Sequence, residues 1–424
     1  MGERGIFDKF YLRKILSLSL IFVLLFSLST ISMANIYAEP APLNANPPSS
    51  PAGHVVGPAV TGAIIGNGDV ILGVNEAGHL NVPYREVPAL LLPAGDPAFV
   101  GVVGLRDGTG TFASTEPGCQ CEGWGIFVPS GPFSGTTGFA NNALGIGGVD
   151  VESFTGVDGG TTAVSKVSVP VTGLGAVLEV THDYHPSPFT SKLYEVKVTV
   201  KNVSGGPLDK IIYRRVMDWD VAPTFFSEFV TIKGTASTTK LIAHGDNGFL
   251  TADPSFPGPY TFIDAACEAG DCTDSGPGDH GAVFDFDLGG LAAGESVSFK
   301  TFYGEASTET SALAALGAVG TELYSLGQSS TPDGPTLGTP ATFMFAFEGV
   351  GGTPILPKPV GGTMIPIDTT ALVIAGASTN GFWVLTILVA IAGASFAAIR
   401  FAKRDTVEAV NLSQTTQNFI QSDI

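Results

Sequence analysis

The chain has 424 residues, a formal net charge of −19 and 55 glycines. So negative a field repels nucleic acid and disfavours anionic ligands, while it suits solubility and cation uptake at an outer surface. Most of the acidic residues lie between Glu39 and Met364.

Residues 1–38 read as a secretory signal. Arg4, Lys9, Arg13 and Lys14 form a basic start, Ile15 to Ile31 is an uncharged apolar run, and small residues offer cleavage after Ala34 or Ala38. The run is long for a signal, which keeps an uncleaved anchor as the alternative; in either case the rest is exported. Residues 39–53 form a Pro/Ala/Asn/Ser linker with too few large apolar side chains to fold. Residues 54–350 form the exterior, enough for one large sandwich-type domain or two smaller ones.

Along this exterior the pattern is strand after strand. "AVTGAIIGNGDVILGVNEAGH" holds two apolar runs separated by a Gly/Asn turn, and later segments such as "AVLEVTHDYH", "DKIIYRRVMDWDV", "AVFDFDL" and "ATFMFAFEG" are short, β-branched or aromatic, and bounded by turn residues. In "LYEVKVTVKN", Tyr194, Val196, Val198 and Val200 alternate with Glu195, Lys197, Thr199 and Lys201, as in a sheet with one wet face. "LAAGESVSF" adds a turn and a strand, read as a closing hairpin. "STETSALAALGAVGTELYSLG" alone looks helical, with Leu313, Leu316, Gly320, Leu323 and Tyr324 on one stripe and Ser307 or Thr308 as N-cap. The expected fold is all-β, a large antiparallel β-sandwich with one appended helix.

Residues 351–370 form a Gly/Pro stalk. Residues 371–399 carry no charge, and their strongest part, the 19 residues from Gly381 to Ile399, would span about 28 Å as a helix. Trp383 marks the outer interface, and Arg400, Lys403 and Arg404 place residues 400–424 in the cytoplasm. The expectation is a single-pass cell-membrane protein, its bulk outside and the bilayer its partner through the C-terminal helix.

All four cysteines, Cys119, Cys121, Cys267 and Cys272, fall in the exterior. Four cysteines allow three pairings. The short Cys267–Cys272 loop closes easily, whereas a Cys119–Cys121 bridge is strained, leaving cross-pairing between the two segments open. Zinc knuckles use a different spacing, so disulfides are the expected state.

"YRRVMDWDVAP" is the most suggestive stretch for chemistry. On a strand, Arg214 and Asp218 share a face with Asp220, while Tyr213, Arg215, Met217 and Trp219 share the other, buried one. Asp285 and Asp287 in "FDFDL" repeat the acidic spacing. Were the two strands neighbours, four carboxylates would converge, fit to bind Ca²⁺ or to serve as a glycosidic acid/base pair. The plainer alternative is a solvated face with one aspartate held by Arg214. Trp124, Arg214, Asp218, Trp219 and Asp220 are thus the candidate ligand residues, and Asp218, Asp220, Asp285 and Asp287 the candidate Ca²⁺ ligands. "THDYHPSP" groups His182, Asp183 and His185, a weak zinc signal and more simply a turn. "DSGPGDHG" (Asp274 to Gly281) is a polar loop able to line a cleft. Asn202 begins an "NVS" glycosylation sequon. The zincin, α/β-hydrolase, P-loop and Rossmann motifs are all missing, which weighs against an enzyme.

The stretch from "NGDVILGVNEAGHLNVP" through "CEGWGIFV", "THDYHPSP", "YRRVMDWDVAPT" and "DSGPGDHGAVFDF" to "FMFAFEGVGG" resembles a family of exported bacterial and archaeal surface proteins, many C-terminally anchored and without an assigned activity. The tail "GGTMIPIDTTALVIAGA…NGFWVL" resembles membrane anchors of ammonia-oxidising archaea. "GNGDVILGVNEAGHLNVPY" is similar to the opening of the β-supersandwich domain of glucoamylase-type enzymes, but the acidic residue and aromatic-proline pair that end that stretch are missing and no α/α-toroid follows. That similarity implies a two-sheet sandwich and not hydrolysis. The functional expectation is a structural or adhesive envelope protein whose partners are envelope glycans or surface proteins; the alternative is an exported carbohydrate-binding or carbohydrate-processing protein.

Overall fold

A computed structural model describes residues 62–92, 101–116, 121–143, 145–256 and 261–356. The signal, the linker, most of the stalk, the apolar C-terminal run and the tail lie outside the described residues, as does Cys119. Among the described residues no helix is long and apolar enough to cross a membrane, and all of them belong to one compact unit.

In chain order the strands are β1 (Gly62–Gly66), β2 (Val70–Asn75), β3 (Val82–Pro83), β4 (Val102–Val103), β5 (Leu105–Asp107), β6 (Gly123–Val128) and β7 (Thr136–Asn141). There follow β8 (Gly145–Gly147), β9 (Asp150–Gly156), β10 (Ala163–Val171), β11 (Gly175–Pro186), β12 (Leu193–Asn202), β13 (Leu208–Asp218), β14 (Glu228–Lys233) and β15 (Leu241–Gly245). The last are β16 (Cys272–Gly278), β17 (Gly281–Leu291), β18 (Ser296–Ala306), β19 (Leu323–Ser329) and β20 (Thr342–Glu348), with helices α1 (Glu309–Val319) and α2 (Gly334–Leu337). The fold is all-β and sandwich-like, as the strand-by-strand reading expects. The β1–β2 turn shows local sequence at work. Asn67 Oδ1 accepts from the backbone of Asp69 and Val70, and Gly68 takes a φ of 97° that a side chain would resist.

Two large antiparallel sheets dominate. One has nine strands in the order β16-β14-β19-β20-β18-β12-β11-β10-β9, the other six in the order β15-β17-β13-β6-β7-β8. Smaller sheets of β1-β2-β5 and β3-β4 complete the described strands. The large sheets share one apolar core. Tyr213 meets Phe299 at 5.0 Å between ring centres, Phe286 meets Phe347 at 4.9 Å, and Phe284 meets Phe345 at 5.8 Å. Each such ring removed from water is worth about 1.5–3 kcal/mol, so this aromatic seam joins the layers.

Two sequence expectations change here. "LAAGESVSF" is not a hairpin, because β17 pairs with β13 and β15 while β18 pairs with β12 and β20; the turn carries the chain from one sheet to the other. The helix ends earlier than its apolar stripe implies. Thr308 caps it at the start, and Gly320, at φ 71°, ends it in the left-handed conformation that favours glycine. Leu323 and Tyr324 therefore belong to β19. The helix packs Ala312, Leu316 and Val319 against Leu193, Phe302 and Met344 of the nine-stranded sheet.

β12 keeps most of its predicted alternation, with Val196, Val198 and Val200 buried and Lys197 and Lys201 exposed, but Glu195 of the expected wet face is buried and paired with Lys300. The corresponding wet face of β13 is dry. Leu250 and Ala252, in the connection that follows β15, pack on Val216 and Val283 and cover it.

Candidate functional site

The neighbouring-strand condition for the four aspartates is met, but the register separates them. β13 pairs with β17 so that Arg214 lies opposite Asp285 and Asp218 opposite Gly281. Four residues of strand, about 13 Å, therefore lie between the two acidic positions. Arg214 takes Asp285 in a two-pronged ion pair, Nε to Oδ1 at 2.7 Å and Nη2 to Oδ2 at 2.9 Å. Its Nη1 donates to the carbonyls of Thr251 and Asp253. Asp287 pairs with Lys210 at 2.9 Å. The reading of Asp285 and Asp287 as ligands alongside Asp218 and Asp220 is corrected accordingly: both are taken by cationic side chains, and Arg214 holds Asp285 rather than Asp218 or Asp220.

The aromatic half of the predicted ligand site also moves. Trp124 and Trp219 are both fully buried. Trp124 donates to the Ala77 carbonyl at 2.8 Å and lies 4.7 Å from the His182 ring. Trp219 donates to Ser325 Oγ at 3.0 Å. Neither ring offers a face to a sugar. His182 and His185 are in β11, not in a turn, and an odd spacing on a strand sends them to opposite faces; no zinc pair forms. Asn202 is buried, its Nδ2 donating to Gly206 and Leu291 and its Oδ1 accepting from Ser204. The sequon's amide is thus used inside the fold, which corrects its reading as a glycan acceptor.

Cys267 and Cys272 form a disulfide with Cα atoms 4.9 Å apart, which excludes cross-pairing between the two cysteine segments. Cys121 is also disulfide-bonded.

What the structure does gather is a different acidic cluster. β13 ends at Asp218, and the chain then runs out through Trp219 and Asp220. The Trp219 amide donates to the His280 carbonyl and the Asp220 amide to the Ser114 carbonyl, each fixing the exit. Glu228 opens β14, opposite Gly278 of β16 and Ser329 of β19, and its Oε1 accepts from the Val221 amide at 3.1 Å. Asp279 sits in the turn between β16 and β17. One oxygen each from Asp218, Asp220 and Asp279 fall within 4.8 Å of one another. Asp218, Asp220 and Glu228 are buried, and Asp279 is half-buried. Burial pushes the Asp220 carboxyl far above its ordinary range, and the negative charges of Glu228 and Asp279 push it further. Burial does the same to Glu228, against the backbone donors that oppose it, and raises Asp279 against the pull of His280. In such a buried group of carboxyls the charged form is disfavoured unless a proton or a cation compensates it. Asp279 falls in the "DSGPGDHG" segment that the sequence marks as a polar loop, whereas nothing local to "FFSEFV" distinguishes Glu228.

A second buried polar cluster lies between the sheets. Arg215 is fully buried and donates from Nε to Glu122 Oε1 at 2.7 Å. Its terminal nitrogens reach the hydroxyls of Tyr213 and Tyr184 and the Gly78 carbonyl. Tyr303 donates to the same Glu122 oxygen at 2.8 Å, and the Leu80 amide donates to the other. Burial opposes the Arg215 charge, but Glu122 and the surrounding tyrosines hold its pKa well above the usual value. Burial, then the Arg215 charge, hold His182 well below its ordinary range, so it stays neutral. Every charge here is answered within the core, which makes the cluster a structural tie between β13, β11, β18 and the segment before β6. Sequence periodicity places Arg215 on the buried face without naming its partner, because Glu122 lies 93 residues away.

Compared with known protein families and with characterised proteins, the chain matches none.

Proposed function

We propose that this chain is a membrane-anchored extracellular surface protein whose β-sandwich serves as a structural or adhesive module of the cell envelope. The observation that carries the reading is its sulfur chemistry. The Cys267–Cys272 bridge, with Cys121 also bonded, fits an oxidising compartment outside the cytosol. The apolar N-terminal run and the charge-flanked Gly381–Ile399 segment add an export signal and a bilayer anchor. The two-sheet sandwich is consistent with a supersandwich relationship and with an archaeal surface protein, and its partners would be envelope glycans or neighbouring surface proteins. The rival reading, a carbohydrate-binding or carbohydrate-processing protein, draws no support from Trp124 and Trp219, whose rings are enclosed. Deleting the gene and measuring surface attachment and resistance to osmotic lysis tests the proposal. A defect in either, restored by the full-length chain, is expected; a deletion strain equal to the parent in both refutes it.

A further inference from the structure

Three segments distant in sequence bring carboxylates to one point: the exit of β13 (Asp218 and Asp220), the first residue of β14 (Glu228) and the β16–β17 turn (Asp279). The oxygens of Asp218, Asp220 and Asp279 that approach within 4.8 Å of one another have a spread that can be compared with ion size. Two ligands of one Ca²⁺ lie at most about 5.2 Å apart, twice a bond of 2.6 Å, so a single Ca²⁺ can reach all three oxygens. A second observation is independent of that spacing. Both carboxylate oxygens of Asp220, and Oε2 of Glu228, are buried with no hydrogen-bond partner, although each side chain is 0% exposed. Buried charges are ordinarily paired or bound to metal, and the charges acting on Asp220 are those of Glu228 and Asp279, both negative.

We propose that Asp218, Asp220 and Asp279, with Glu228 as a fourth donor, form a Ca²⁺ site that ties the exit of β13 to the β16–β17 turn. An all-oxygen donor set selects a hard cation over zinc or copper. Half-buried Asp279 provides the side from which the ion enters. The site locks together strands of different sheets, since β13 and β17 belong to the six-stranded sheet and β14 and β16 to the nine-stranded one. It does not depend on where the protein resides, so it stands or falls separately from the surface-protein reading.

The test uses the full-length chain extracted in detergent, stripped with EGTA, and dialysed against CaCl₂ or MgCl₂ with metal analysis of the protein. Wild type is expected to take up one Ca²⁺ that Asp220→Asn and Glu228→Gln lose, each weakening affinity at least about tenfold. Asp287→Asn, whose carboxylate faces Lys210, is expected to bind as wild type. Metal-free Asp220→Asn is expected to melt no lower than metal-free wild type, because neither carboxyl oxygen of Asp220 has a hydrogen-bond partner to lose; lost binding then cannot be lost folding. Absence of this Ca²⁺ from wild type, or unchanged binding by Asp220→Asn, overturns the site. Mg²⁺ bound as tightly as Ca²⁺ overturns the assignment of the ion.

Discussion

Replacing Glu122 by glutamine changes almost no volume and removes one buried charge. Glu122 Oε1 accepts from Arg215 at 2.7 Å and from Tyr303 at 2.8 Å, while Oε2 accepts from the Leu80 amide. Glutamine can turn its oxygen toward only one of these two groups of donors, so its NH₂ must face another donor. Arg215 would keep only neutral acceptors, Gly78, Tyr213 and Tyr184, at 3.2–3.3 Å. Breaking a buried pair in this way costs about 3–5 kcal/mol, mostly from the stranded cation. Urea unfolding at neutral pH should show a loss of that size for Glu122→Gln. Adding Arg215→Met, which removes the stranded charge, should recover at least half of it, so the double variant is far more stable than the sum of the two singles. A loss below about 1 kcal/mol for the single variant, or a double variant as unstable as the sum of the singles, refutes the charge-pairing account of this core.

Burial, with the negative Asp107 nearby and Lys192 opposing, raises the Glu305 carboxyl to about 7. The folded state therefore holds a proton that the unfolded chain releases above about 4.5. The stability this confers is complete below that pH and is lost as pH rises through about 7. Glu305→Gln should then stabilise the protein by up to about 3 kcal/mol at pH 8 and hardly at all at pH 4; an equal effect at both values, read by urea unfolding, contradicts it. Gly327→Ala would put a methyl group 2.5 Å from Trp219 Cδ2, and its melting temperature should fall by the equivalent of about 1–3 kcal/mol. Opening the Cys267–Cys272 bridge with alanine at both positions should cost about 2 kcal/mol, the value expected of so short a loop; no change in chemical denaturation would place that strand pairing outside the cooperative unit.

Much of the fold is legible in the residues. The period-two pattern of β12 and the Asn/Gly turn after β1 are local signals, and both act as the chain chemistry directs. The candidate site is less so, for reasons of register and coverage. "DWD" and "FDFD" look equivalent in sequence, but pairing sets Asp285 against Arg214 and leaves Asp218 opposite a glycine. No local rule chooses that register. The face of β13 that alternation makes wet is dry because Leu250 and Ala252 cover it, a tertiary effect that leaves no trace in the strand itself. Glu228 and Asp279 join Asp218 only through the order of strands within two different sheets.

The proposed topology is tested most directly by labelling intact cells with a membrane-impermeant, amine-reactive reagent and mapping the modified lysines by mass spectrometry. Lys197 and Lys201 are exposed on β12, and Lys403 follows the apolar C-terminal run. A surface protein anchored by that run predicts modification of Lys197 and Lys201 in intact cells and of Lys403 only after lysis. Protection of Lys197 and Lys201 until lysis, or labelling of Lys403 in intact cells, contradicts it.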